Sequence, residues 1–170
     1  IALWDYEHMI LQKFPEIYKV KCLNHTNIAT SEGTKDNYLA AGDVTLVVIP
    51  DTVNKNVFDS FEPRASKGLL NKIESFINQY NSLHVSAKII NPNYEKVHVR
   101  LEAKYKEGLD EIFYSAQIEE DIIKFLSPWA FDSTKAVTFG VALHKSVLID
   151  YLEKLPYVDY LQNVIIEKED

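Results

Sequence analysis

The sequence predicts an α+β protein built from two small mixed helix/antiparallel-sheet subdomains in tandem. Helical spacing and period-two alternation of apolar residues both occur, without the strict strand–helix–strand order of a doubly wound sheet. The 170 residues are 46% hydrophobic and 25% charged, which are globular proportions. That length fits one ordinary domain or two small ones. A turn signal, Asn91-Pro92-Asn93, places the predicted boundary between residues 1–91 and 92–170.

The first half is predicted to follow the order α-β-β-α-β. Its segments are helix 5–14, strand 16–23, strand 43–50, a helix capped by Ser66, and strand 84–90. Pro15 ends the first helix, because the residue before a proline is driven out of the α region. Strand 43–50 is almost wholly Val, Leu and Ile, so we expect it in the middle of a sheet. The polar segment 24–42 is longer than a usual connection and is either a flexible loop or a segment ordered by a partner.

The second half is predicted to follow the order β-α-(β)-α-β. Its segments are strand 94–105, helix 109–126, a short strand near 136–139, helix 145–154, and strand 157–166. The last residues, 167–170, are expected to fray. The first strand alternates cleanly, with a wet face formed by His98, Arg100, Glu102 and Lys104. The long helix has a main apolar stripe of Leu109, Ile112, Phe113, Ala116 and Ile123, widened by Ile118, Ile122 and Phe125.

The charge balance limits the classes of partner. Eighteen basic and 25 acidic side chains give a net charge of −7. An acidic protein is a poor non-specific ligand for nucleic acid. The acidic balance is compatible with a partner protein that has a basic surface. No apolar run approaches the roughly 18–20 residues that cross a bilayer, so no membrane span is expected. Neither of the glycine-rich patterns that cradle phosphates occurs in the sequence.

The residue types that carry chemistry do not form a recognisable motif. The five histidines lack metal-ligand spacing, so no metal site and no cofactor are predicted. The single cysteine, Cys22, excludes an intrachain disulfide and fits a core position better than a nucleophile. Consecutive helical carboxylates such as Glu119-Glu120-Asp121 point in different directions and cannot flank one bond. We therefore predict no catalytic residues.

Six residues are candidates for an interface instead. They are Tyr38, Trp129, Phe131, Glu119, Glu120 and Asp121. Tyr38 is the aromatic residue of the long polar segment. The two aromatics of 127–132 lie outside periodic structure and either fill the core or anchor a partner. The acidic run is a solvated face or a docking site for a basic partner.

Several segments resemble the baseplate J-like wedge proteins of contractile phage tails and phage-tail-like injection particles. The similar segments are 5–26, 42–50, the helix from Ser66, 84–87, 91–97 and 125–132, together with Phe139-Gly140, Ser146 and Val158-Asp159-Tyr160. The similarity runs over almost the whole chain and corresponds to the C-terminal part of that family.

The resemblance implies a non-enzymatic structural component of a contractile injection system. Such a protein docks against other wedge and hub proteins, in several copies forming a ring, and couples target contact to sheath contraction. It would be assembled in the bacterial cytoplasm and then belong to a phage-tail-like particle or virion. Two alternatives stay open. One is a peptide- or ligand-binding module that uses an open sheet edge. The other is an enzyme with a site built from distant residues such as His98, Arg100 and Glu102.

Overall fold

The computed structural model describes residues 2–29, 34–53, 55, 59–132 and 134–169. They form two compact units, Ile1–Asn93 and Tyr94–Asp170. The predicted α+β class with two small subdomains is confirmed. The elements are α1 (Leu3–Lys13), β1 (Ile17–Asn24), β2 (Asp43–Pro50), α2 (Lys67–Asn78), β3 (Ser86–Ile90), β4 (Val97–Tyr105), α3 (Glu111–Leu126), a 3-10 turn (Pro128–Ala130), α4 (Lys145–Glu153) and β5 (Val158–Lys168).

The first unit contains a three-stranded sheet in the order β1-β2-β3. β2 is central, as its uniformly apolar sequence predicts, and its residues 44–49 are all buried. β1 runs antiparallel to it, with Cys22 opposite Leu46. β3 runs parallel to it, with Ile89 opposite Leu46.

The parallel β2–β3 pair differs from the antiparallel sheets that the sequence predicts. α2 connects the two strands as a crossover, which returns the chain to the end of the sheet where β2 began. The alternation in β3 buries Ala87 and Ile89. Alternation identifies the buried face of a strand but not the direction of its neighbour, so it could not reveal this pairing.

Two helices cover the first sheet and complete its core. Ile10 of α1 and Ile73 and Ile77 of α2 are fully buried in this cluster. The predicted cap is present, since the Ser66 hydroxyl accepts a hydrogen bond from the Leu69 amide at 3.3 Å. Cys22 lies in the same core, where burial and the nearby Glu7 carboxylate raise the pKa of its thiol to about 11.

The second unit contains a two-stranded antiparallel ribbon of β4 and β5. Its register shifts where Leu101 faces two residues, Asn163 and Val164, and Asn163 there adopts a φ of 50°. β5 extends to Lys168, which pairs with Val97. The expectation that the chain frays from residue 167 is therefore wrong for Glu167 and Lys168, which are both paired with β4.

The inner face of α3 is not the one that the sequence favoured. Ile118 is buried in the second core, with Tyr114, Ile122 and Phe125 packed against that core. Most of the main predicted stripe points outward, since Ile112, Phe113 and Ile123 are 86%, 59% and 45% exposed, but Leu109 packs against the core as predicted. α3 carries two apolar stripes on opposite sides, and contacts with other elements decide between them. The ring of Tyr157 stacks on Tyr114 at 4.9 Å, and its hydroxyl donates a hydrogen bond to Asp121.

The remaining elements of the second unit agree in part with the prediction. The spacing of apolar residues in α4 predicts an inner face of Val147, Leu148, Tyr151 and Leu152. Leu148 and Leu152 are completely buried, but Val147 is 52% exposed. In the described residues between the 3-10 turn and α4, the short strand expected near 136–139 is absent. Its apolar residues are too few, and too near a glycine, to hold a strand without a paired neighbour.

Candidate functional site

The wet face of β4 holds the residues of the enzymatic alternative. His98 lies 3.9 Å from Glu169, which follows β5, and Arg100 lies 3.5 Å from Glu167 of β5. The side chains of His98 and Arg100 are 61% and 73% exposed. Exposed ion pairs contribute at most about 1 kcal/mol each, because water screens them. These groups balance one another across a solvated ribbon rather than converge on one point.

The outer edges of the three-stranded sheet carry what we call edge caps, formed by Glu7, Asn78 and Glu74. Glu7 of α1 accepts a hydrogen bond from the Cys22 amide of β1 at 2.9 Å. Asn78 of α2 accepts from the Ala87 amide of β3 at 3.0 Å and donates to the Ala87 carbonyl at 2.9 Å.

Glu74 completes the edge caps by accepting from the Ile89 amide at 3.3 Å. A peptide that added a strand at either edge would compete with these side chains for the same backbone groups. This geometry opposes the open-edge alternative in the first unit.

An open cleft of about 480 Å³ lies beside α1 in the first unit. Its lining residues are Trp4, Asp5, His8, Met9, Gln12 and Tyr80. The rings of Trp4 and His8 stack at 3.7 Å, while Trp4 and Tyr80 are 64% and 55% exposed. The cleft therefore combines aromatic contact surface with the polar side chains of Asp5, His8 and Gln12.

Tyr38, the candidate of the polar segment, is exposed to solvent. Its hydroxyl donates a hydrogen bond to Asp36 at 3.0 Å, and this bond raises the pKa of the phenol. The backbone of the segment is held in part by reciprocal hydrogen bonds between Asn27 and Asn37, at 2.8 and 2.9 Å. The next residue, Leu39, is 90% exposed. Tyr38 and Leu39 thus form a small exposed apolar patch.

The three carboxylates of the acidic run have different surroundings. Glu119 and Glu120 are exposed, and Glu120 forms an ion pair with Lys124 at 2.5 Å, which raises the pKa of the lysine. Asp121 is half-buried and accepts the hydrogen bond of Tyr157. It orients α3 within the second unit, so Glu119 and Glu120 are the members of the run that face solvent.

The two aromatics after α3 also differ. Trp129 is half-buried in the 3-10 turn, with its ring centre 5.8 Å from that of Tyr94. Phe131 follows the turn and is 42% exposed. Trp129 therefore contributes to packing, and Phe131 presents more of its ring to solvent.

Sequence reasoning found Glu119 and Glu120 but missed the exposed apolar residues beside them, and we call the combined surface the outer face of α3: Ile112, Phe113, Ala116 and Ile123, with Glu119 and Glu120. These residues are exposed although the apolar members form the helix's main stripe. The signal that could have revealed it is the second apolar stripe of the same helix. A helix with two such stripes in a small unit can bury only one of them.

Comparison with known proteins identifies the family. The sequence model of the family described as "Baseplate protein PVC11-like" matches residues 4–170. The chain belongs to this family of baseplate proteins. No protein with curated annotation matches it.

The fold is shared with a solved baseplate structure. That structure is described as "Cryo-EM structure of the anti-feeding prophage (AFP) baseplate, 6-fold symmetrised". Its chain matches with a TM-score of 0.69 and 20% sequence identity, over 98% of this chain and 33% of that chain. The chain thus spans about a third of the length of the baseplate chain that it matches.

The family match confirms the prediction that the chain belongs to a baseplate protein. In the described part of the chain, no helix is both long and apolar enough to cross a bilayer. The match covers residues from both units.

Proposed function

We propose that this chain is part of a non-enzymatic, J-like wedge protein that docks against other wedge and hub proteins in a ring of several copies. The observation that carries the proposal is the family match over residues 4–170. The shared fold with a chain of a baseplate that was 6-fold symmetrised supports repeated copies around an axis. Assembly takes place in the bacterial cytoplasm, before the protein becomes part of the particle.

The surfaces of both units support a docking role. Large apolar side chains are exposed in each unit, for example Leu39 at 90% in the first and Ile112 at 86% in the second. Exposed apolar and aromatic residues supply most of the binding energy of protein interfaces. The net charge of −7 favours partners with basic surfaces.

The ionisable groups support a role without catalysis. The pKa values of Cys22 and Tyr157 move furthest, and both groups are buried in the cores of their units. A catalytic group with a shifted pKa is expected beside a cleft, where it can reach a substrate. The pKa values of these two groups are raised mainly because the groups are buried in a core.

The proposal is tested by assembly of the whole particle. The full-length protein is produced with the other baseplate, sheath and tube proteins, and particles are purified and imaged by electron microscopy. We expect that omission of this protein abolishes complete baseplates and that its return restores them. Native mass spectrometry of wedge subcomplexes then gives the copy number. Complete baseplates without the protein, or its failure to join any baseplate complex, would overturn the proposal.

A further inference from the structure

We propose that the outer face of α3 binds an amphipathic helix of another baseplate protein, with Lys or Arg beside its apolar stripe. This inference rests on the proposed function and adds a specific surface and the chemistry of its partner. The occupant is a different protein, not a second copy of this chain.

The outer face has the dimensions and composition of a helix-binding surface. α3 has 16 residues, so its axis is about 24 Å long at 1.5 Å per residue. Ile112, Phe113 and Ile123 are 86%, 59% and 45% exposed, whereas Ile118 on the opposite side is 4% exposed. Apolar side chains aligned along one helix form a ridge that packs into the grooves of a second helix.

The charges beside this stripe specify a basic partner. Glu119 and Glu120 are exposed beside the stripe, whereas Glu111 lies seven residues before Ile118 and therefore near the inner side of the helix. Glu120 is paired with Lys124 in the next turn, and Glu111 lies 3.9 Å from Lys104.

Glu119 interrupts the stripe between Ala116 and Ile123. It forms no ion pair with any residue in the described part of the chain. A lysine or arginine on a docked helix would reach this carboxylate at the centre of the contact, where water is partly excluded and a charge pair is strongest.

The same charges argue against a second copy as the occupant. A two-fold contact places the same surface of both chains against itself. The α3 helices would then bring Glu119 and Glu120 of both copies into one interface, with four carboxylates and the two Lys124 side chains. Like charges at an interface weaken association and suppress that pairing.

Site-specific photo-crosslinking identifies the occupant. Benzoylphenylalanine replaces Ile112 in the full-length protein, which is produced with the other baseplate proteins, irradiated and digested for mass spectrometry. The expected product joins the benzoylphenylalanine at position 112 to a helical segment of a different baseplate protein that carries Lys or Arg beside apolar residues. Crosslinks only to a second copy, only within the same chain, only to an acidic or non-helical segment, or to no protein in assembled baseplates would overturn the inference.

Matched variants measure the contribution of the surface. The double variant I112S/F113S should weaken binding of the crosslinked partner at least about tenfold, the loss typical of a central apolar contact. Leu83→Ser, at a fully exposed site of the first unit, should change binding less than about twofold. Glu119→Lys should weaken binding and reduce its dependence on salt, and a Lys-to-Glu change in the partner should restore it.

The outcomes separate this inference from the proposed function. Circular dichroism should show unchanged helix content in I112S/F113S, because the altered side chains make few contacts in the unit. If that variant binds as tightly as Leu83→Ser while the protein still joins baseplates, the docking site is wrong and the proposed function stands. If the wild-type protein joins no baseplate complex, the proposed function fails first.

Discussion

Removal of one edge cap tests whether the helix side chains hold the first sheet. In the variant Asn78→Ala, the amide and carbonyl of Ala87 lose their partners at 3.0 and 2.9 Å. Ala87 is 2% exposed, so water replaces these partners poorly unless the strand edge opens. The control is Asn71→Ala, an exposed asparagine on the same helix.

The expected loss follows from these two hydrogen bonds. Each contributes about 0.5–1.5 kcal/mol to stability, and a buried group left without a partner adds to the cost. Alanine offsets up to about 0.5 kcal/mol of this loss, because its helix propensity is higher than that of asparagine. Asn78→Ala should therefore reduce the free energy of unfolding by about 2 kcal/mol. Asn71→Ala should leave it unchanged or raise it by up to about 0.5 kcal/mol.

The assay follows the first unit alone. The sequence contains two tryptophans, Trp4 in the first unit and Trp129 in the second. In a Trp129→Phe background, urea unfolding is followed by Trp4 fluorescence, and hydrogen exchange at the Ala87 amide reports the strand edge. Exchange should accelerate in Asn78→Ala only. Equal stability of the two alanine variants, or unchanged exchange at Ala87, would refute the role given to the edge cap.

Four further outcomes are expected. Tyr157→Phe should lower the stability of the second unit in urea by about 1–2 kcal/mol, because it loses the hydrogen bond to the Asp121 carboxylate. Tyr160 is 46% exposed, so Tyr160→Phe should change that stability by less than about 0.5 kcal/mol. Burial, followed by the same hydrogen bond, raises the pKa of Tyr157, so the unfolded phenol ionises first. Wild-type stability should then fall as the pH rises above about 10, more steeply than that of Tyr157→Phe in parallel titrations. Gly42→Ala should destabilise more than Gly108→Ala in thermal unfolding: both have positive φ, but only at Gly42 would a Cβ lie 2.5 Å from a backbone oxygen. Cys22 should resist alkylation at pH 8 until urea unfolds the protein, because burial raises its pKa to about 11; labelling at the rate of a free thiol in the folded protein would contradict its core position.

Features that depend on local pattern could be predicted from the sequence. The central position of β2 follows from an unbroken apolar run, whose residues 44–49 are all buried. The cap at Ser66 follows from the preference of a hydroxyl for the first free amides of a helix. The exposed side of β4 follows from period-two alternation, which the structure reproduces from Val97 to Tyr105. Each of these signals lies within one segment of the chain.

Features that depend on the pairing of distant segments could not be predicted. The direction of β3 depends on how α2 crosses the sheet, and the short sequence of β3 does not indicate that crossover. The inner face of α3 is set by Tyr157, which lies 36 residues from Asp121 in the chain. The helical spacing alone therefore predicts that Ile112 and Phe113 are buried and that Asp121 is a surface carboxylate.

The edge caps also limit aggregation through the edges of the first sheet. A sheet edge with free amides and carbonyls is a template for strand addition, and a protein made in many copies would extend such stacks without limit. Here Glu7, Glu74 and Asn78 occupy three amides and one carbonyl of the edges. In newly made chains, the first sheet is therefore protected from amyloid-like stacking through its own edges.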